Sequence, residues 1–102
     1  MIIYNVTCNV EKHMAEEWLQ WMRDEHLPDV MRTGCFTEYK ILKLVNQEED
    51  DHGVNYAIQY TCDSHETLNK YRVEHGPSLQ SKTLAKYGDK VMAYRSVLEV
   101  VE

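Results

Sequence analysis

Apolar and polar residues alternate from Ile2 to Val10. Ile2, Tyr4, Val6, Cys8 and Val10 fall on one side, and Ile3, Asn5, Thr7 and Asn9 on the other. This period of two predicts a strand with one buried face. The period then lengthens. Plotted at about 100° per residue, Met14, Trp18, Leu19, Trp21, Met22, Glu25, His26 and Val30 share one broad arc, while Glu16, Glu17, Arg23 and Asp24 lie mostly outside it. That stripe predicts a helix from about Glu11 to Met31 lying on a core. Its two Trp rings bury a large area and make it the main anchor of the domain. Pro28 has no amide donor and crowds the preceding turn, so a kink or break is expected near Glu25 to Leu27. Gly34 supplies a helix stop.

A second strand is expected from Phe36 to Val45, then a polar, acidic hairpin loop from Asn46 to Gly53. Val54 to Thr61 reads as a third strand, with Tyr56, Ile58 and Tyr60 on its apolar side. Asp63-Ser-His-Glu66 has capping-box spacing and begins a second helix. Leu68, Tyr71, His75 and Leu79 share one face of that helix. Gly76-Pro77 interrupts it, and a continuing segment ends at Gly88. Val91 to Val101 is the fourth strand. With 102 residues the chain makes one domain, residues 1–102. The order β-α-β-β-α-β predicts a ferredoxin-like α+β fold, with an antiparallel four-stranded sheet and both helices on one face. The crossover rule is expected to set strands one and three side by side and parallel at the centre.

The remaining sheet face carries Asn5, Thr7 and Asn9 from strand one, and Asn55, Ala57, Gln59 and Thr61 from strand three. Strand four is expected to add Ala93, Arg95 and Val97. A water-facing sheet normally shows many Lys and Glu. Small uncharged groups imply that this face is covered, and a second copy of the same sheet is the obvious cover. The other reading is an exposed face that merely lacks charge. A domain of this size buries a modest core, so a homodimer would help it considerably.

Charge narrows the range of partners. Residues 1–51 carry 5 Lys/Arg against 11 Asp/Glu, and residues 52–102 carry 6 of each. Such an acidic chain is a poor nucleic-acid binder, because that affinity rests on neutralising phosphates. The run Glu48-Glu-Asp-Asp51 reads as a solvated loop, with a metal site as the remote alternative. No apolar run approaches membrane-spanning length, so no membrane partner is expected. Cys8, Cys35 and Cys62 are odd in number and lack CxxC spacing. Without a leader sequence they read as reduced cytoplasmic thiols.

Ile2-Ile-Tyr-Asn-Val, Trp18-Leu-Gln-Trp-Met, His26-Leu-Pro-Asp-Val-Met-Arg-Thr-Gly-Cys-Phe36 and Tyr94-Arg-Ser-Val-Leu-Glu-Val100 together resemble an uncharacterised bacterial domain-of-unknown-function family. The resemblance covers nearly the whole chain. The wider group it resembles is the dimeric α/β-barrel superfamily, in which two ferredoxin-like protomers pack sheet to sheet. That group includes antibiotic-biosynthesis monooxygenases, haem-degrading monooxygenases, muconolactone isomerases and stress-response barrel proteins. The resemblance implies the fold and the dimer, but no activity.

The candidate chemistry centres on His26-Leu-Pro28 and His75-Gly-Pro77. Each is a His-x-Pro on the buried side of a helix. The two helices are expected to run roughly parallel, so that both rings lie near each other, toward one end of a cleft. His26, beside Glu25 and the tryptophans, is the better candidate for a catalytic acid or base. The plainer reading is that each ring bonds a carbonyl freed by its proline. Two histidines make an incomplete metal site, and with Glu25 as the only third ligand in view no metal is expected. His13, His52 and His65 read as solvated. Arg95 either binds a ligand carboxylate or phosphate, or pairs across a dimer or with Glu99. Trp18, Trp21, Met22, Tyr4, Tyr56, Tyr60 and Tyr71 either line a ligand cleft or simply fill the core. Cys8 points into the core and reads as inert.

Three functions fit these residues. One is a dimeric barrel binding a small apolar or aromatic molecule between helices and sheet, with cofactor-free monooxygenase or isomerase-type chemistry through His26. A second is a non-enzymatic interaction or regulatory barrel. The third is haem binding through His75 or His26. No cofactor is required by the first two.

Overall fold

The structure, a computed structural model, describes residues 1–45 and 53–102. The acidic run 48–51 and His52 lie outside the described residues. Four strands, β1 (Ile2–Val10), β2 (Glu38–Lys43), β3 (Val54–Cys62) and β4 (Val91–Glu99), form one sheet in the order β2-β3-β1-β4. Between β1 and β2 come α1 (Ala15–Trp21), a π-helical turn at Met22–His26, and α2 (Leu27–Arg32). Between β3 and β4 come α3 (His65–Glu74) and α4 (Gly76–Tyr87). This is the ferredoxin-like α+β arrangement.

Every neighbouring strand pair is antiparallel, including β1 with β3. The expected parallel pairing of strands one and three is therefore corrected. The crossover through α1 and α2 makes β1 parallel to β2, but those strands are not adjacent. β3 turns back from β2 and inserts between them, so it opposes both. The helices inherit this reversal, since each returns against the strand before it. Trp21 meets Tyr87 with ring centroids 5.4 Å apart, and farther along Asp29 meets Lys82 at 3.9 Å. Numbers rise along one helix as they fall along the other, so the two helical segments are antiparallel.

The core lies between the helices and one sheet face. Trp18, Leu27, Val30, Leu68, Tyr71 and Leu79 pack from the helices onto Ile2, Tyr4, Cys8, Val10, Tyr56, Ile58 and Tyr60 of the central strands. Gly34, at φ +76°, ends the first helical layer in the left-handed region that glycine tolerates. Phe36 follows and packs against the Tyr4, Tyr60 and Tyr71 rings, with centroids 6.2, 5.0 and 4.7 Å away. The second helical layer begins one residue later than Asp63. Ser64 is the cap, and its hydroxyl accepts the Thr67 amide at 3.2 Å. Asp63 instead accepts the Thr67 hydroxyl at 3.0 Å.

The fourth strand also departs from expectation. Cys8 lies opposite Ala93, Val6 opposite Arg95 and Tyr4 opposite Val97. Directly opposed residues share a face, so Ala93, Arg95 and Val97 belong to the helix side. The free face instead receives Met92, Tyr94, Ser96 and Leu98, opposite Asn9, Thr7, Asn5 and Ile3. The two alternating sets of β4 are both mixed in polarity, so hydropathy alone does not orient that strand. The register to β1 does.

Candidate functional site

The site begins with Pro28. It cannot donate to the Asp24 carbonyl, and its ring crowds that carbonyl. The helix does not break. It widens into the π turn at Met22–His26, and the Leu27 amide reaches back five residues to the Met22 carbonyl. Such single π turns recur at functional sites. The wider turn brings residues five apart onto one side, and the His26 ring stacks on Trp21 with centroids 5.2 Å apart.

Below this turn a cavity of about 270 Å³ opens between helices and sheet. Trp18, Met22 and His26 wall it from the first helical layer, and Tyr71, Leu79, Gln80, Thr83 and Leu84 from the second. Tyr4, Val6, Cys8, Ile58 and Tyr60 form its floor, and Val91, Ala93 and Arg95 its β4 side. Arg95 reaches it because β4 is registered with that side toward the helices. His26 also borders an outer groove formed by Trp21, Asp24, Glu25, Asp29, Arg32 and Lys82, and no other described residue is common to both.

The electrostatics follow chiefly from burial, and then from the charges nearby. Burial pulls the His26 imidazole down to about 4, opposed by Asp29 and reinforced by Arg95 and Lys82. The ring is therefore neutral near pH 7. Burial pushes the Cys8 thiol up to about 11 and the Tyr71 phenol to about 12, and it holds Tyr60 well above its ordinary value. The Arg95 charge opposes each of these three shifts. Arg95 itself is exposed, and its guanidinium makes no hydrogen bond or ion pair with the described residues. The Trp18 indole nitrogen is buried without a hydrogen-bond partner among them.

The structure thus brings together Tyr4, Trp18, Met22, His26, Tyr60, Tyr71 and Arg95 in one cavity. It does not bring Trp21, Tyr56 or His75 there. Trp21 is turned to the outer groove by the π turn. Tyr56 lies behind Trp18, with centroids 5.4 Å apart. His75 sits at the joint of α3 and α4, 6.3 Å from the Tyr71 ring, and lines neither cavity nor groove. The expected adjacency of His26 and His75 rested on parallel helices, and the helices are antiparallel. Glu25 is exposed, and the carboxylate that acts on His26 is Asp29, one helical turn on. That spacing of three was legible in the sequence. So was the run Leu79, Gln80, Thr83, Leu84, which continues one side of the second helical layer from buried Leu79 to exposed Gln80 and Leu84. Among the described residues no three His, Cys, Asp or Glu side chains gather as a metal site. No helix among them is long and apolar enough to cross a membrane.

Comparison with known structures shows the same fold. An ethyl tert-butyl ether d (EthD) family protein from Bacillus halodurans superposes with a TM-score of 0.72, at 15% identity over 99% of this chain and 100% of that one. A variant of SnoaB, a cofactor-independent oxygenase from Streptomyces nogalater, superposes at 0.67, with 9% identity over 99% and 94%. A dimeric ferredoxin-like protein from an uncultured marine organism gives 0.60, with 8% identity over 99% and 95%. Among curated proteins, Regulator of G-protein signaling 22 of Homo sapiens is 33% identical over 55 residues, 53% of this chain. The match spans only 4% of that protein's length. Residues 1–101 match the family described as Domain of unknown function (DUF4286), and the chain belongs to that family.

Proposed function

We propose that this protein is a homodimeric ferredoxin-like barrel that binds a small apolar or aromatic molecule in the cleft between helices and sheet. The observation that carries this reading is the cavity of about 270 Å³ with apolar walls and a few convergent polar groups, His26, Tyr60, Tyr71 and Arg95. Small-molecule sites have that composition, and their volumes begin at roughly 300 Å³. The size suits one or two rings rather than a macrocycle such as haem. Of the two histidines considered as haem ligands, only His26 lines the cavity.

The dimer is supported by the free sheet face. It carries Met92, Tyr94, Leu98 and Leu42 exposed around a band of Asn and Gln side chains. These amides bond one another: Asn9 donates to Asn55 at 3.0 Å, and Gln59 to Asn5 at 3.3 Å. Polar groups already satisfied within one protomer cost little to cover. The fold is shared with a dimeric ferredoxin-like protein, which makes sheet-to-sheet pairing the natural cover.

In the reactive form of this reading His26 takes a proton from the bound molecule, as cofactor-free oxygenase or isomerase-type chemistry would require. Its neutral state leaves a ring nitrogen able to accept. A depressed value makes it a weak base when the cleft is empty, and an anion bound beside it would raise that value. Binding is the part that nuclear magnetic resonance can test directly. Indole titrated into isotope-labelled protein should shift resonances of Val6, Ile58, Tyr71 and Leu79. Shifts confined to other surfaces, or none at millimolar indole, would defeat the cleft as a binding site.

A further inference from the structure

We infer that the ligand of this cleft is a small flat acid, an aromatic or unsaturated carboxylate whose charge is met by Arg95. The inference rests on the ligand-binding reading above and adds the chemical class. Its first support is charge composition. Of the described residues lining the cavity, Arg95 is the only one charged at neutral pH: there is no Asp, Glu or Lys among them, and His26 is neutral. The chain as a whole carries a net charge of −6. A lone cation facing an apolar cavity in an acidic protein is a local reversal of charge.

The second support is the absence of a competing partner among the described residues. The Arg95 guanidinium makes no hydrogen bond or ion pair with the described residues. Glu99, the sequence neighbour of matching charge, lies farther along β4 on an edge opposite Ile2. Toward the described residues the five N–H donors of the guanidinium stay available, in a fork that fits a carboxylate through two parallel bonds. The third support is the shape of the remainder. Beside Arg95, the walls are Tyr60, Tyr71, Trp18, Ile58 and Met22, which offer ring faces and methyl groups to a flat body. A fully hydrated anion such as phosphate gains nothing from those walls and loses its water against them.

Binding of benzoate, benzamide and inorganic phosphate, measured by the same resonance shifts at low salt, tests the inference. Benzamide matches benzoate in shape but has no charge. Benzoate should bind at least about tenfold more tightly than benzamide, the difference expected for a charge-assisted bond. Phosphate should not bind. Raising sodium chloride should weaken benzoate and leave benzamide unchanged. Arg95→Ala should remove the preference without lowering the melting temperature, because Arg95 is exposed and its side chain has no partner among the described residues. Arg95→Lys should keep part of the preference. If Arg95→Ala were to unfold, the salt response of the unaltered protein decides the matter by itself. Equal binding of benzoate and benzamide in the cleft would overturn the acid and leave the cleft reading intact. Phosphate binding as well as benzoate would overturn the flat body. Failure of both benzoate and benzamide would count against the cleft itself.

Discussion

His26 stacks on Trp21 five residues before it, with ring planes 27° apart. In a regular α-helix the residues that meet are three or four apart. The contact exists because Pro28 forces the turn at Met22–His26 to widen. Replacing Pro28 with Ala restores an amide that can donate to Asp24, so the helix should become regular. Stability should change by less than about 1 kcal/mol, since the regained bond is offset by a freer unfolded chain. The His26 ring protons should then lose the upfield shift that the Trp21 ring imposes. If that shift persists in Pro28→Ala, something other than the proline sets the turn.

The burial of His26 also makes stability depend on pH. Its folded value of about 4 lies below the ordinary 6.5, chiefly through burial. Between those two pH values the unfolded chain holds a proton that the folded chain does not. Stability from this group is therefore complete above pH 6.5 and falls as pH drops toward 4. At 1.36 kcal/mol per unit, the ceiling is about 3 kcal/mol. Asp29 pulls the value up, while Arg95 and Lys82 push it down, so salt should alter the size of the effect. His26→Phe keeps a ring against Trp21 and removes the titration. Urea melts of the two proteins from pH 7 to pH 4 should diverge, with the unaltered protein losing more. Parallel pH profiles would mean that the ring already takes its proton at an ordinary pH.

Sequence patterning and structure agree where one periodicity dominates. β1 and β3 alternate cleanly, and the Trp18 stripe is unmistakable, so the fold and the cavity floor were legible. β4 was not, because Val91, Ala93, Arg95, Val97 and Met92, Tyr94, Ser96, Leu98 are equally mixed. Only its pairing with β1 decides which set faces the helices, and pairing is a long-range property. Hydropathy alone thereby places Arg95 on the wrong side of the sheet. The misplacement of His75 has a different origin. Local pattern makes His26-Leu-Pro28 and His75-Gly-Pro77 look equivalent, but strand direction sets helix direction, and the antiparallel pairing of β1 with β3 separates them.

The cap of α3 offers a test of one such local detail. Ser64 and Asp63 both carry side-chain oxygens near the helix start, but only Ser64 accepts a backbone amide, that of Thr67. Ser64→Ala should cost about 1 kcal/mol, the usual loss for a cap. Asp63→Ala should cost less, since it removes an exposed bond to the Thr67 hydroxyl. Thermal or urea denaturation reads both. A larger loss in Asp63→Ala than in Ser64→Ala would return the cap to Asp63.

The register of β4 turns the question of assembly into a sharper one than the polar face alone. Tyr94 is 67% exposed, Met92 56% and Leu98 46%, and all three lie on the same side of the sheet as the satisfied Asn and Gln band. Left in water, these side chains form an apolar strip along an edge strand. Such a strip is the mark of an interaction surface. Covered by a second copy, each position appears twice across a two-fold axis. A charge introduced there is buried twice, unpaired, and faces its own image or an apolar neighbour. The unaltered protein should therefore sediment at micromolar concentration at twice its 12.1 kDa chain mass. Tyr94→Glu and Leu98→Glu should each weaken the dimer by at least about tenfold, as loss of a central interface side chain does. Lys86→Glu, on the outer helix layer, should leave assembly unchanged and serve as the control. A folded protein that sediments at the single-chain mass would leave the free face solvated. Dimerisation unaffected by Tyr94→Glu and Leu98→Glu would place the contact on some other surface.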